Sequence, residues 1–331
     1  ARDRGVVGFL VSREVEAEAE KAVVVVDDPR LVMGILASRL AGEPSWKMEM
    51  IAITGTNGKT TTSYLIESIS LAEGKECGVI GTINYRWKGT EIKATNTTPE
   101  SVEIIKILAE MLKSNVKRVV MEVSSHALHQ KRVSGMSFRA GIFTNLTPEH
   151  LDYHKDMEDY FQIKSILFSK VLSGEWLPGR VAASRQKNKF TPISIINLDD
   201  PYGQRLFKKA QGKKVSYALE NKSALYKAEI VEHGWNGIKV RIIYPAGEFL
   251  VASPLLGKVN AYNILAGASA LLELGTRPEH IVKGIKKMSA VPGRLERVEN
   301  DKGFLVLVDY AHTPDALEKA IATVKELGTK R

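Results

Sequence analysis

Short apolar runs recur along this chain, and the stretches between them repeat their apolar positions every three or four residues. From residue 48 onward, MEMIAIT (48–54), CGVIGT (77–82), RVVMEVS (118–124), AGIFTNL (140–146) and SIINLD (194–199) read as strands. Segments at about 58–73, 100–114 and 157–172 carry the helical spacing. Strand and helix in alternation predict an α/β fold, a mostly parallel sheet flanked by helices.

Between about 215 and 252 the texture changes to alternating strands, and Asn236-Gly237 in EHGWNGIKV is a hairpin turn signal. Helices are expected again at about 259–275, with Gly275 as a stop, and at about 278–288. VPGRLERV then reads as a linker to a strand, FLVLVDY at 304–310, and a helix at about 314–327. That single βα unit needs neighbouring strands, and residues 1–45 hold too little apolar sequence to close a core. We therefore expect a remnant of an N-terminal domain at 1–47, a central domain at 48–290, and a hinge with the start of an incomplete C-terminal domain at 291–331. With Ala rather than Met in first place, the pattern reads as a fragment truncated at both ends.

Composition narrows the class. With 44% hydrophobic and 26% charged residues over 331 positions, the chain reads as an ordinary globular protein. Its longest strongly apolar stretch, AVVVV at 22–26, is far short of the roughly 20 residues a membrane span needs. The single cysteine, Cys77, cannot form an internal disulfide, so a reducing cytoplasm is expected. A net charge of +9 admits a nucleic acid, an anionic small substrate or no specific partner. The densest basic run (Arg180, Arg185, Lys187 and Lys189, then Arg205, Lys208, Lys209, Lys213 and Lys214) lacks interleaved aromatics. It reads as a solvated face, and no nucleic-acid partner is expected.

The chemistry starts at ITGTNGKTTT, residues 53–62. A strand ends at Thr54, Gly55 and Gly58 sit in the turn with Thr56 and Asn57, Lys59 follows, and Thr60 and Thr61 open a helix. These are the parts of a phosphate-binding loop, although the first glycine stands at 55 where the usual pattern would place it at 53. Glu122 and His150 lie at or just beyond strand ends, where ligands gather in open α/β sheets. Lys164 shares a helical stripe with Tyr160, Phe161, Leu167, Phe168 and Val171. A cation on an apolar face either snorkels to water or is altered or faces an ion.

The segments GTNGKTTT, MEVSSHAL, FTNLTPEHLDYH, NLDDP, GKVNAYNILAGASAL, PGRLE and VDYAHTPDALEKA occur in the order seen in the Mur ligases, ATP-dependent enzymes that add amino acids to the cell-wall precursor. The chain resembles that family, and within it the branch that adds the third residue. The resemblance implies a P-loop-containing central domain and a Rossmann-like C-terminal domain. It also implies an acyl-phosphate reaction using ATP and two Mg²⁺ ions, with a UDP-muramoyl dipeptide and a diamino acid as substrates, in a protein expected to be monomeric.

By the same resemblance Lys59 grips the outer phosphates, Thr60 and Glu122 hold one Mg²⁺, and His150 helps hold a second. Lys164 falls at the position of the family's carbamylated lysine. Asn96, Thr97, Thr98, Ser124, Gln130 and Arg132 would bind the dipeptide. Asn260 and Asn263 would lie near adenine, Asp309 and His312 near ribose and phosphates, and Arg294 at the hinge. The connector EWLPGRVAASRQKNKFTP looks longer than the family's usual one. A folylpolyglutamate synthetase and a non-catalytic nucleotide-binding protein are the rival readings.

Overall fold

The computed structural model describes residues 5–16, 21–177, 191–288, 290–302, 304–312 and 314–327. Its first segment is a small parallel pair, β1 (Gly8–Val11) and β2 (Ala22–Val25), followed by helix α1 (Pro29–Leu40). Asp28 caps α1 by accepting from the Leu31 amide at 3.0 Å, and Pro29 occupies the first helical position, where its missing N–H costs nothing.

The chain then lays down β3 (Glu49–Thr54), α2 (Lys59–Ala72), β4 (Cys77–Ile80), β5 (Asn84–Trp87), β6 (Thr90–Lys93), α3 (Ser101–Lys113), β7 (Arg118–Glu122), α4 (Ser125–His129), β8 (Ala140–Phe143) and α5 (Met157–Ile166). There follow β9 (Ile193–Asn197), α6 (Pro201–Lys209), β10 (Lys213–Ala218), β11 (Tyr226–Gly234), β12 (Gly237–Tyr244), β13 (Gly247–Ser253), α7 (Val259–Glu273) and α8 (Pro278–Lys287). Last come β14 (Glu296–Val298), β15 (Val306–Val308) and α9 (Pro314–Glu326).

Strands β3 to β13 make one sheet in the order β13-β12-β11-β10-β9-β8-β3-β7-β4-β5-β6. Neighbours from β11 to β4 are parallel, and an antiparallel hairpin extends each edge. On β3, Met50 and Ala52 face a core shared with Ile104, Leu108, Phe161 and Leu206, while Ile51 and Ile53 face one shared with Leu65, Ile69, Ile264 and Ile285. Burial on both faces is why the central strands read as unbroken apolar runs.

At the N-terminal edge of the strands Arg118 is fully buried. It meets Glu49 at 2.5 Å and Glu73 at 3.0 Å, and donates to Ser70 Oγ at 2.9 Å. A buried charge of this kind is tolerated because it is paired on several sides, and removing a partner typically costs about 3–5 kcal/mol.

Three expectations change. The segment read as one helix over 157–172 is α-helical only to Ile166, and Leu167–Val171 continue as a π-helical turn with Leu172 N donating to Leu167 O at 2.9 Å. VPGRLERV is more than a linker, because Glu296–Val298 pair antiparallel with Val306–Val308. The β5–β6 hairpin was not foreseen, its four-residue strands carrying polar side chains at the edge of the sheet. The Asn236-Gly237 signal does mark a tight hairpin, with Gly234 opposite Gly237.

Arg180, Arg185, Lys187, Lys189 and most of the long connector lie outside the described residues. Of the remaining basic run, Arg205 pairs with Glu158 at 2.8 Å and Lys213 with Glu273 at 2.5 Å. Among the described residues no helix is long and apolar enough to cross a membrane.

Candidate active site

The central strands end on one side, and the loop after β3 is the focus of that side. Gly55 (φ +144°) and Gly58 (φ +88°) hold conformations that favour glycine. A Cβ at Gly55 would come within 2.0 Å of Thr144 Oγ1, and one at Gly58 within 2.3 Å of Asn263 Oδ1. Gly58 caps α2 without a side chain, leaving the first-turn amides of the helix without a side-chain cap.

The segment after β8 braces this loop. Thr56 N donates to Asn145 O and Asn57 N to Asn145 Oδ1, each at 2.9 Å, and Thr144 Oγ1 donates to Asn57 O at 2.7 Å. Thr56 Oγ1 also donates to Thr147 O at 3.2 Å. Asn145 and Thr147 were missed in the sequence; they reach the loop only because β8 lies beside β3.

Two lysines converge on one carbonyl. Lys59 Nζ donates to Gly55 O at 2.9 Å and to Thr56 O at 2.7 Å, and Lys164 Nζ donates to the same Gly55 O at 3.0 Å. Lys164 is 2% exposed and its nitrogen lies 4.6 Å from the centre of the Tyr160 ring, so its tip turns inward to the loop instead of snorkelling to water. Burial pushes Lys164 well below the ordinary lysine pKa, and the charge of Lys59 adds to the fall. Burial lowers Lys59 as well, against the opposing charges of Glu122 and Glu149. Two lysine amines side by side, that of Lys164 buried and that of Lys59 half-buried, suit a site that receives a polyanion or neutralises one of them.

Across the loop, Glu122 closes β7. Its Oε2 accepts from Thr60 Oγ1 at 3.0 Å and Thr82 Oγ1 at 2.9 Å, and its Oε1 accepts from Thr82 N at 3.1 Å. A carboxylate beside a hydroxyl at a helix start is a hard-oxygen set that fits Mg²⁺, which takes few protein ligands. His150 sits on the other flank in a left-handed conformation (φ +56°), 3.8 Å from Glu149 and edge-on to His126 and Tyr160. Burial lowers its pKa, which keeps a ring nitrogen available as a ligand. The four residues expected at metal thus form two groups, Thr60 with Glu122, and His150 with Lys164 around Tyr160.

The far wall comes from α7 and the C-terminal segment. Asn263 Nδ2 donates to Asn260 Oδ1 at 2.8 Å and Asn260 Nδ2 to Leu256 O at 2.7 Å, so both are buried against the loop and Asn263 is not plain helix surface. Asp309 accepts from Leu295 N and Ala311 N, each at 2.8 Å, His312 Nδ1 lies 2.9 Å from Tyr310 O, and the Arg294 guanidinium lies 5.3 Å from the Tyr310 ring centre. Asp309 therefore fastens the turn at Leu295 to the end of β15 while lining the cleft. The cleft is about 580 Å³, and Thr56 to Thr61, Thr97, Ser124, His150, Asn260, Asn263, Arg294, Asp309 and His312 all line it.

Of the residues expected at the dipeptide, Thr97 and Ser124 line this cleft, and Asn96, Thr98, Gln130 and Arg132 do not. Thr98 is buried and gives its hydroxyl to Glu122 O at 2.8 Å, while Ser124 caps α4 by accepting from Ala127 N at 3.1 Å. Arg132 donates to Thr98 O at 2.8 Å and to Gln130 Oε1 at 2.7 Å, and meets Glu100 at 3.1 Å. Asn96 is exposed beside Thr97, its carbonyl accepting from Tyr85 OH at 2.7 Å.

NLDDP acquires a structural reading here. Asp199 accepts from the amides of Leu219, Glu220 and Asn221 at 2.7, 3.0 and 2.8 Å and from Tyr262 OH at 3.0 Å, and Asp200 caps α6.

Fold and cleft together define a P-loop α/β protein whose phosphate loop is faced by a second, C-terminal βα unit. Residues 53–271 match the Mur ligase middle domain, and residues 293–331 match the Mur ligase, glutamate ligase domain. Over 331 residues the chain is 45% identical to the UDP-N-acetylmuramoyl-L-alanyl-D-glutamate--2,6-diaminopimelate ligase of Geobacter metallireducens, covering all of this chain and 62% of that protein. The enzyme of the same name from Geobacter sulfurreducens is 44% identical, with 63% of it covered. A solved structure of a ligase of that name matches with a TM-score of 0.80 at 29% identity, over 97% of this chain and 62% of that one.

The chain belongs to the Mur ligase family. It spans a little under two thirds of the length of these curated relatives. A Mycobacterium tuberculosis folylpolyglutamate synthase shares the fold, with a TM-score of 0.68 at 15% identity over 90% of this chain and 71% of that one.

Proposed function

We propose that this chain carries the ATP site of a ligase that adds the third amino acid to UDP-N-acetylmuramoyl-L-alanyl-D-glutamate. The product would be a cytoplasmic peptidoglycan precursor, the enzyme would act as a monomer, and the relatives' names favour diaminopimelate over lysine as the added residue. The observation that carries the reading is the pairing of Lys59 and Lys164 on Gly55 O beside the Thr60–Glu122 pair. That arrangement suits a triphosphate whose terminal group must lose negative repulsion before a carboxylate can approach it.

In this reading the substrate carboxylate attacks the γ-phosphorus of ATP, ADP leaves, and an acyl phosphate forms. The amine then attacks the acyl carbon and gives up a proton, and phosphate departs with the carboxylate's former oxygen. Lys59 holds the β- and γ-phosphates against the loop amides. Thr60 and Glu122 would hold one Mg²⁺, with His150 and a carbamylated Lys164 at a second. Bound Mg²⁺ supplies charge neutralisation to the phosphates. Carbamylation would turn the buried ammonium into an anionic oxygen ligand and remove its repulsion with Lys59.

Arg132 and Gln130, with Ser124 and the Asn96–Thr98 segment, would orient the dipeptide. Asn260 and Asn263 would border the base, and Arg294, Asp309 and His312 would close on the ribose and phosphates. The test is phosphate release by the full-length protein, which should require both the UDP-muramoyl dipeptide and the diamino acid. Turnover on a folate with glutamate, and none on the dipeptide, would overturn the proposal.

A further inference from the structure

The residue that links the two ends of the cleft is one that no sequence motif singled out. Beyond Ile80, the last residue of β4, the chain passes Glu122 with Gly81 and Thr82. A Cβ at Gly81 would lie 2.3 Å from Glu122 Oε1, so only glycine lets the strand end run this close to the carboxylate. Thr82 then grips both carboxylate oxygens, its amide on Oε1 at 3.1 Å and its hydroxyl on Oε2 at 2.9 Å. The same hydroxyl lies 3.1 Å from Thr97 Oγ1.

A threonine hydroxyl has one hydrogen to donate. Thr82 spends that hydrogen on Glu122, an acceptor only, so in the Thr82–Thr97 contact Thr97 is the donor. The chain of bonds has one direction, from Thr97 to Thr82 to Glu122, with Thr60 donating to Glu122 from the other side at 3.0 Å. Thr97 has then given its hydrogen away, and towards the cleft it offers lone pairs.

We infer that Thr82 is a positioning residue that couples the cation-side carboxylate to the substrate-side threonine, and that Thr97 accepts from a hydroxyl or amide N–H of the substrate. The inference rests on the ligase reading only for the identity of that substrate. A shift of Glu122 towards a cation draws on Thr82 and through it on Thr97, so cation affinity and substrate affinity should move together. Such coupling is reciprocal by thermodynamic necessity.

The test compares Thr82→Val, which keeps the shape and removes the hydroxyl, with Thr82→Ser, which keeps the hydroxyl. Mn²⁺ binding by the full-length protein with a non-hydrolysable ATP analogue is followed by electron paramagnetic resonance. KM and kcat for the UDP-muramoyl dipeptide are measured alongside. Losing one hydrogen bond of this kind should weaken Mn²⁺ binding about fivefold and raise the dipeptide KM about fivefold, with kcat at saturation changed less than KM. Thr82→Ser should return both to within about twofold of the unsubstituted protein, the bond being remade.

Unchanged Mn²⁺ affinity in Thr82→Val overturns the inference, and so does a change in one affinity without the other. A loss of thermal stability alone, or failure of Thr82→Ser to restore binding, also overturns it. Should Thr82→Val not fold, Thr97→Val must by itself lower Mn²⁺ affinity. If the unsubstituted protein ignores the dipeptide, the ligase reading fails, while the Mn²⁺ comparison still decides the role of Thr82.

Discussion

Gly58→Ala is the most direct perturbation of the phosphate loop, because the structure supplies both terms of its cost. At φ +88° an alanine pays for a left-handed backbone, about 1–2 kcal/mol relative to its preferred regions. The new methyl would also stand 2.3 Å from Asn263 Oδ1, and Asn263 is held by its 2.8 Å bond to Asn260. Moving it aside gives up a hydrogen bond, about 1 kcal/mol net. The sum is about 2–3 kcal/mol, which the loop escapes by relaxing and the nucleotide must restore on binding. Affinity for ADP or a non-hydrolysable ATP analogue should therefore fall about 30-fold or more by calorimetry.

Gly74→Ala is the control, since Gly74 has nearly the same dihedral (φ +82°) with open space around it. It should lower stability and leave nucleotide affinity alone. Undiminished affinity in Gly58→Ala, or an equal loss in Gly74→Ala, would refute the reasoning.

Lys164→Met should abolish turnover by about a hundredfold or more while nucleotide affinity holds within a few fold, and turnover by the unsubstituted protein should fall in CO₂-free buffer and return with bicarbonate. Asp199→Asn places an amide among three N–H donors and should destabilise by about 2 kcal/mol in urea titrations, with the slope unchanged. Burial, then His150 and His154, push His126 down to about 4 from the usual 6.5. The unfolded chain therefore binds this proton first, so His126 makes stability rise with pH between about 4 and 6.5 and fall as acid is added through that window. A His126→Gln protein should show a flatter profile over that range.

The central strands were legible because burial on both faces leaves apolar runs that no polar position interrupts. The edge hairpin β5–β6 was not, since Asn84 and Arg86 break its run, and the three-residue strand β14 is too short to show a period, although its partner β15 lies within the strand expected at 304–310. At the site, the loop lysine and the strand-end glutamate stood out because their chemistry depends on local order along the chain. Lys164 was visible as an anomaly on an apolar stripe, but the direction of its tip depends on where the loop after β3 lies. Asn145, Thr147 and Thr82 were illegible for a related reason. They sit after β8 and β4, and only the sheet order β8-β3-β7-β4 brings them to the loop and to Glu122. Asp199 was visible only within the NLDDP segment, and its oxygens serve three backbone amides of the turn after β10.

If the cleft transfers a phosphoryl group to a carboxylate before the amide forms, an oxygen of that carboxylate must leave with the phosphate. The most direct measurement uses a UDP-muramoyl dipeptide labelled with ¹⁸O in the reacting carboxylate, with the released phosphate analysed by mass spectrometry or ³¹P NMR. One ¹⁸O atom is expected in each phosphate released during amino-acid-dependent turnover. Phosphate free of label would mean that the γ-phosphate passed to water, and would refute transfer to the carboxylate.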